Sequence, residues 1–119
     1  MRQPRRRIAE IGEHTWLRRL LGALGPVGSG FGVSIGPGDD AAVLRPERRP
    51  WVVTTDAQRA GVPFRVGWLS WRDLGRRTFR VTVSDLAAMG ARPRAAPLAL
   101  EVPRRFEVGS LSAFVAGFA

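Results

Sequence analysis

The chain contains no cysteine, no lysine, no asparagine and no tyrosine, and only one histidine. Without cysteine there is no disulfide framework and no thiolate metal site. Without lysine there is no G-x-x-x-x-G-K-[ST] phosphate loop, whose lysine reaches the phosphates. No apolar run approaches the length that crosses a bilayer, and the basic start Met1-Arg2-Gln3-Pro4-Arg5-Arg6-Arg7 is not followed by a signal-peptide core. A cytoplasmic location is expected, with no membrane partner. Lysine, asparagine and tyrosine share AT-rich codons, so their joint absence reads as a GC-rich genome. That weakens the usual link between a net charge of +9 and nucleic acid. The arginines are dispersed in pairs, at Arg18-Arg19, Arg48-Arg49, Arg76-Arg77 and Arg104-Arg105, rather than gathered in one stripe. Residues 1–12 read as a basic flexible tail, and no specific nucleic-acid partner is expected.

What is present fits one domain of 119 residues, 45% hydrophobic and 24% charged, which is enough for a core of modest size. Leu17, Leu20, Leu21 and Leu24 recur at helical spacing before Gly25-Pro26, which predicts an amphipathic helix from Glu13 to Leu24. His14 falls on the Leu17 and Leu21 face, as a partly buried structural histidine. Residues 25–38 hold six glycines and two prolines and read as a mobile loop of functional type. Ala41–Leu44, Trp51–Thr55 and Ala95–Glu101 read as strands. Ser70 with Asp73 three positions on resembles a capping box. Beyond it the evidence divides: Phe79, Val81 and Val83 alternate as in a strand, while the flanks look helical. Leu111, Phe114, Val115 and Phe118 share one helical face that needs something to pack on. With no cap at Ala119, a piece of a longer chain is expected.

Three acidic groups invite a common explanation: Gly36-Pro37-Gly38-Asp39-Asp40, Thr54-Thr55-Asp56 and Val83-Ser84-Asp85. Taken singly, each is as readily a turn, a strand end or a helix's polar side. Together they offer hard oxygen donors, which suit magnesium held by carboxylates beside substrate phosphates. Gly28-Ser29-Gly30-Phe31-Gly32 has glycine spacing without a preceding strand, so a dinucleotide fingerprint is unsupported. Trp16, Trp51, Trp68 and Trp71 are too scattered for a base-stacking platform.

In order along the chain, Gly38-Asp39-Asp40-Ala41-Ala42-Val43-Leu44, Thr54-Thr55-Asp56-Ala57, Asp73-Leu74-Gly75 and Val83-Ser84-Asp85-Leu86-Ala87-Ala88-Met89-Gly90-Ala91-Arg92-Pro93 resemble the thiamine-monophosphate kinases. These belong to the superfamily of aminoimidazole ribonucleotide synthetase. The resemblance implies an α/β (α+β) nucleotide-binding domain, a mixed sheet flanked by helices, incomplete at the carboxy terminus. It assigns residues 13–119 to a partial amino-terminal ATP- and magnesium-binding domain and makes the Ser70–Met89 stretch a helix. It implies Asp40, Thr54, Thr55, Asp56 and Asp85 as metal ligands, with Asp39 a possible further metal or phosphate contact. It implies ATP and thiamine monophosphate as partners, thiamine diphosphate as product, and a homodimer or a complementing carboxy-terminal chain. Three features depart from the family. Pro63 stands where a substrate-contacting histidine is usual; Gln58 and Arg59 replace apolar residues; and the Gly-Gly-Asp-Thr motif is absent. The isolated chain is expected to turn over little. A relative acting on another substrate, or a non-catalytic oligomerisation module, are the alternatives.

Overall fold

Two helices, Trp71–Ala88 and Val108–Phe118, cross so closely that glycine is required on both sides of the contact. The computed structural model describes residues 5–24, 32–38, 40–62 and 64–119. In chain order the elements are α1 (Ile8–Ile11), α2 (Glu13–Leu24), β1 (Val33–Ile35), β2 (Val43–Leu44), α3 (Trp71–Ala88) and α4 (Val108–Phe118). Helices plus a small antiparallel sheet make the architecture α+β.

α3 settles the conflict between its alternating valines and its helical flanks. Its first turn is capped by Ser70, whose Oγ accepts from the Asp73 N–H at 3.1 Å. Its end is a Schellman motif: Gly90, at φ 66°, donates to the Ala87 carbonyl, and Ala91 donates to the Leu86 carbonyl. Between these ends the buried positions are Leu74, Gly75 and Thr78, a 3.6-residue face, whereas Val81 is exposed. The helical period is the one that finds a partner. A Cβ at Gly75 would run into the Phe114 carbonyl of α4, and one at Gly117 into the Arg72 carbonyl of α3. Phe79 and Phe118 close the crossing edge to face at 5.5 Å.

The Ser70 hydroxyl also donates to Asp73 Oδ2 at 2.6 Å, and this bond, aided by Arg76, holds the Asp73 carboxyl below its ordinary value of 3.8. A carboxyl lowered by folding stabilises the folded state above its unfolded value, and that contribution is lost as pH falls through the lower folded one. Ser70→Ala, by removing the N-cap hydrogen bond to the Asp73 N–H, should cost about 1 kcal/mol of stability at neutral pH. It should also flatten the acid limb of the stability curve below pH 3.8, read by denaturant titration at several pH values.

The core lies between α2 and α4. Trp16 (6% exposed), Leu111 (3%) and Val115 form it, and Ile8, Leu20, Leu24, Leu98 and Phe106 pack around them. Trp16 Nε1 donates to Ser112 Oγ at 3.3 Å, which partners the indole N–H inside the core. Residues 5–12, expected as part of a flexible tail, are instead tied down. Ile8 and Ala9 donate to the Phe106 and Arg104 carbonyls, Val108 donates to the Arg6 carbonyl, and Arg5 pairs with Glu107. Ile8 and Ile11 supply the apolar contact that makes this docking favourable. The expectation for residues 1–4 lies outside the described residues. His14 is exposed rather than half-buried, because the helix turns Trp16 inward.

β1 and β2 pair antiparallel with Val33 opposite Leu44 and Ile35 opposite Val43, an irregular register. β1 thus lies inside the stretch expected as a loop, of which residues 25–31 are outside the described residues. The strands expected at Trp51–Thr55 and Ala95–Glu101 are absent: residues 51–59 and 91–103 carry neither helix nor ladder. A strand is defined by its neighbour, and among the described residues neither segment has one. Several large apolar side chains are exposed. Val53 is 83% exposed and Trp68 70%, with Val62 and Met89 similarly bare. The radius of gyration, 15.8 Å, exceeds the roughly 13–14 Å of a compact domain of this length.

Candidate functional site

The expected ligand residues come from three places. Asp40 is on the connection between β1 and β2; Thr54, Thr55 and Asp56 lie in the irregular segment after β2; Asp85 is in the last turn of α3. Asp39 and Pro63 lie outside the described residues. Asp40, Thr55, Asp56 and Asp85 are exposed, and Thr54 is half-buried.

Two hydrogen bonds fix how the second segment meets the helix. Thr54 Oγ1 donates to Asp85 Oδ2 at 3.1 Å, and Arg77 Nη1 donates to Gln58 Oε1 at 2.9 Å. Four residues of segment therefore span eight residues of helix, in the opposite direction. Eight helical residues rise about 12 Å, and four residues reach about 13 Å only when nearly fully extended. Both contacts run through side chains, so the backbone of residues 54–58 and the long Gln58 and Arg77 side chains share that reach. Gln58 Nε2 donates to Asp56 Oδ2 at 2.9 Å. The structure thus joins Thr54 to Asp85 and strings Asp56, Gln58 and Arg77 into a chain.

Among the described residues no three carboxylates or histidines gather closely enough to hold a metal. In donor type the residues do fit a hard divalent cation: carboxylates and hydroxyls, exposed, with no soft ligand nearby. The position of Asp85 adds an electrostatic reason. It stands in the final turn of α3, at the negative end of the helix dipole, and that turn carries no basic residue. A carboxylate there is disfavoured, and a cation is favoured.

Beside this seam α3 presents an open groove of about 590 Å³, lined by Arg76, Arg77, Arg80 and Ser84 among others. Arg76 is paired with Asp73 at 3.3 Å and Arg77 with Gln58. Sequence reading missed the contact between Gln58 and Arg77. Gln58 stood out as polar where an apolar residue is usual, but nothing in the sequence links it to a residue 19 positions on.

No helix of the described residues is long and apolar enough to cross a membrane. Comparison with known proteins gives a consistent result. A thiamine-monophosphate kinase of Corynebacterium glutamicum is 46% identical over 69 residues, covering 56% of this chain and 20% of the relative. That of Mycobacterium tuberculosis is 32% identical over 111 residues, covering 92% and 32%. That of Escherichia coli K12 is 42% identical over 72 residues, covering 60% and 22%. The chain spans between a fifth and a third of the length of these curated relatives. No solved structure matches it significantly. Residues 38–119, from the Asp40 turn through the seam to the end of α4, match the description "AIR synthase related protein, N-terminal domain", and the chain belongs to that family.

Proposed function

We propose that this chain is the magnesium- and nucleotide-binding part of an ATP-dependent thiamine-monophosphate kinase, which moves the γ-phosphoryl of ATP onto the phosphate of thiamine monophosphate. The supporting observation is the seam in which Thr54 and Asp56 lie along α3 towards Asp85. The relatives' names supply the substrate class. Both reactants are polyanions, so their approach requires charge neutralisation, and bound magnesium would supply it while aligning the phosphates. Asp40, Thr54, Thr55, Asp56 and Asp85 are the residues that would hold the ion, with Asp39 beside them. Thr54, by donating to Asp85, keeps that carboxylate turned towards the segment. In the groove on α3, Arg77 and Arg80 stand beside the Arg76–Asp73 ion pair and offer positive charge for the phosphates.

The exposure of large apolar side chains such as Val53, Val62 and Trp68 supports a second surface completing the domain, either another copy or a complementing chain. The reading places the protein in the cytoplasm. The test is to join this chain to the remaining two thirds or so of the Mycobacterium tuberculosis kinase and follow thiamine diphosphate formation. A folded chimera should make it, with Asp56→Asn slowing turnover by about 100-fold or more, at least the loss seen when groups around a metal site are removed. A folded chimera that consumes no ATP with thiamine monophosphate would overturn the proposal.

A further inference from the structure

The structure assigns to Gln58 and Arg77 a shared positioning role: Arg77 fixes the Gln58 amide, and Gln58 in turn orients the Asp56 carboxylate for a divalent cation. The inference rests on the proposed metal site and names how this chain, in particular, prepares it.

A glutamine amide has a donor end and an acceptor end, and either can face a neighbour. Here each end has a partner that admits one orientation. Arg77 Nη1 can only donate, so Oε1 must face it, at 2.9 Å; Nε2 is then left to donate to Asp56 Oδ2, also at 2.9 Å. The carboxylate is held by one oxygen, and Oδ1 remains for another donor or a cation. Charge placement matters as well. Were the guanidinium in direct contact with Asp56, a bidentate ion pair could occupy both carboxylate oxygens and compete with a cation. The neutral amide keeps the arginine one residue away while still transmitting its orientation. Arg77 is half-buried, on a helix anchored at both ends, so the relay starts from a rigid point. Outer groups of this kind that orient a ligand characteristically change metal affinity about 10- to 100-fold.

The experiment is a Mn²⁺ titration of the whole 119-residue chain by electron paramagnetic resonance, with folding checked by circular dichroism. Gln58→Leu and Arg77→Gln should each weaken Mn²⁺ binding by about 10-fold or more. The double variant should be no weaker than either alone, because both break one relay. Arg77→Lys, which keeps a charged donor, should recover part of the loss. The Gln58 side-chain amide resonances give a second readout and should shift in both Asp56→Asn and Arg77→Gln. Unchanged affinity in Gln58→Leu, beside a clear loss in Asp56→Asn, would overturn the positioning role alone. Mn²⁺ binding that ignores Asp56→Asn would overturn the metal site itself, and the positioning role with it.

Discussion

Gly75→Val is expected to dismantle the molecule. In an exposed helix the change from glycine to a larger residue is usually helpful or neutral, since glycine costs up to about 1 kcal/mol relative to alanine. At Gly75 packing reverses that sign. The added Cβ would collide with the Phe114 carbonyl and approach the Phe118 nitrogen at 2.9 Å, and both are backbone atoms of α4 that no rotamer change can clear. Even Gly75→Ala must push the helices apart, at about 1–3 kcal/mol for overpacking. Valine adds two methyl groups at the same point. The α3–α4 crossing is the largest contact in a chain with a small core, so little else can compensate. Gly117→Ala meets the Arg72 carbonyl from the other side of the crossing. Its effect should be less than additive with Gly75→Ala, because a shift that relieves one relieves the other. Gly22→Ala is the control with opposite sign: nothing lies within 4 Å of its Cβ, and it should stabilise α2 by up to about 1 kcal/mol. Urea denaturation followed by tryptophan fluorescence and helical circular dichroism separates these outcomes. Equal stability for Gly75→Val and the parent chain would mean that the crossing is not as close as described.

Asp85→Asn is expected to have the second large effect, on binding rather than on folding. The substitution preserves the shape of the side chain and an oxygen that can accept from Thr54 Oγ1, so the seam between the segment and α3 should persist. What it removes is a negative charge at the carbonyl end of α3. Removing a charge placed against the helix dipole should leave stability unchanged or raise it by about 0.3–1 kcal/mol. Magnesium-dependent nucleotide binding should nevertheless fall by about 100-fold or more, as for a lost metal contact. A residue whose removal improves folding and destroys binding is kept for its chemistry. If Asp85→Asn destabilised the chain and left nucleotide binding intact, the carboxylate would be structural.

The helices were legible in the sequence wherever a periodic apolar face met a stop signal. Glu13–Leu24 follows from four leucines and Gly25-Pro26, and the α4 face follows from Leu111, Phe114, Val115 and Phe118. α3 was undecided from its own residues, because Phe79, Val81 and Val83 alternate. What decides for the helix is the Leu74, Gly75 and Thr78 face, which packs on α4 so closely that Gly75 and Gly117 meet its backbone and that of α3, a tertiary fact that no local window contains. The strands at 51–55 and 95–101 were read from apolar composition, but a ladder needs a neighbour and the described residues supply none. The acidic site was legible in residue type and in order. Its geometry was not, since the Thr54–Asp85 and Gln58–Arg77 contacts join residues 31 and 19 positions apart. The docking of residues 5–12 onto 104–108 was hidden by the arginines around it, which draw attention to charge and away from Ile8 and Ile11.

The central claim is that carboxylates, acting through a metal, handle the phosphates in a protein of net charge +9. Arginines could attract ATP with no metal at all, so the two routes have to be separated directly. Calorimetric titration of the 119-residue chain with ATP, in the presence of magnesium and again in its absence with a chelator, does so. The account predicts binding that requires magnesium and is abolished by Asp56→Asn and by Asp85→Asn. Equal ATP affinity with and without magnesium, insensitive to both substitutions and fading steeply with added salt, would contradict it.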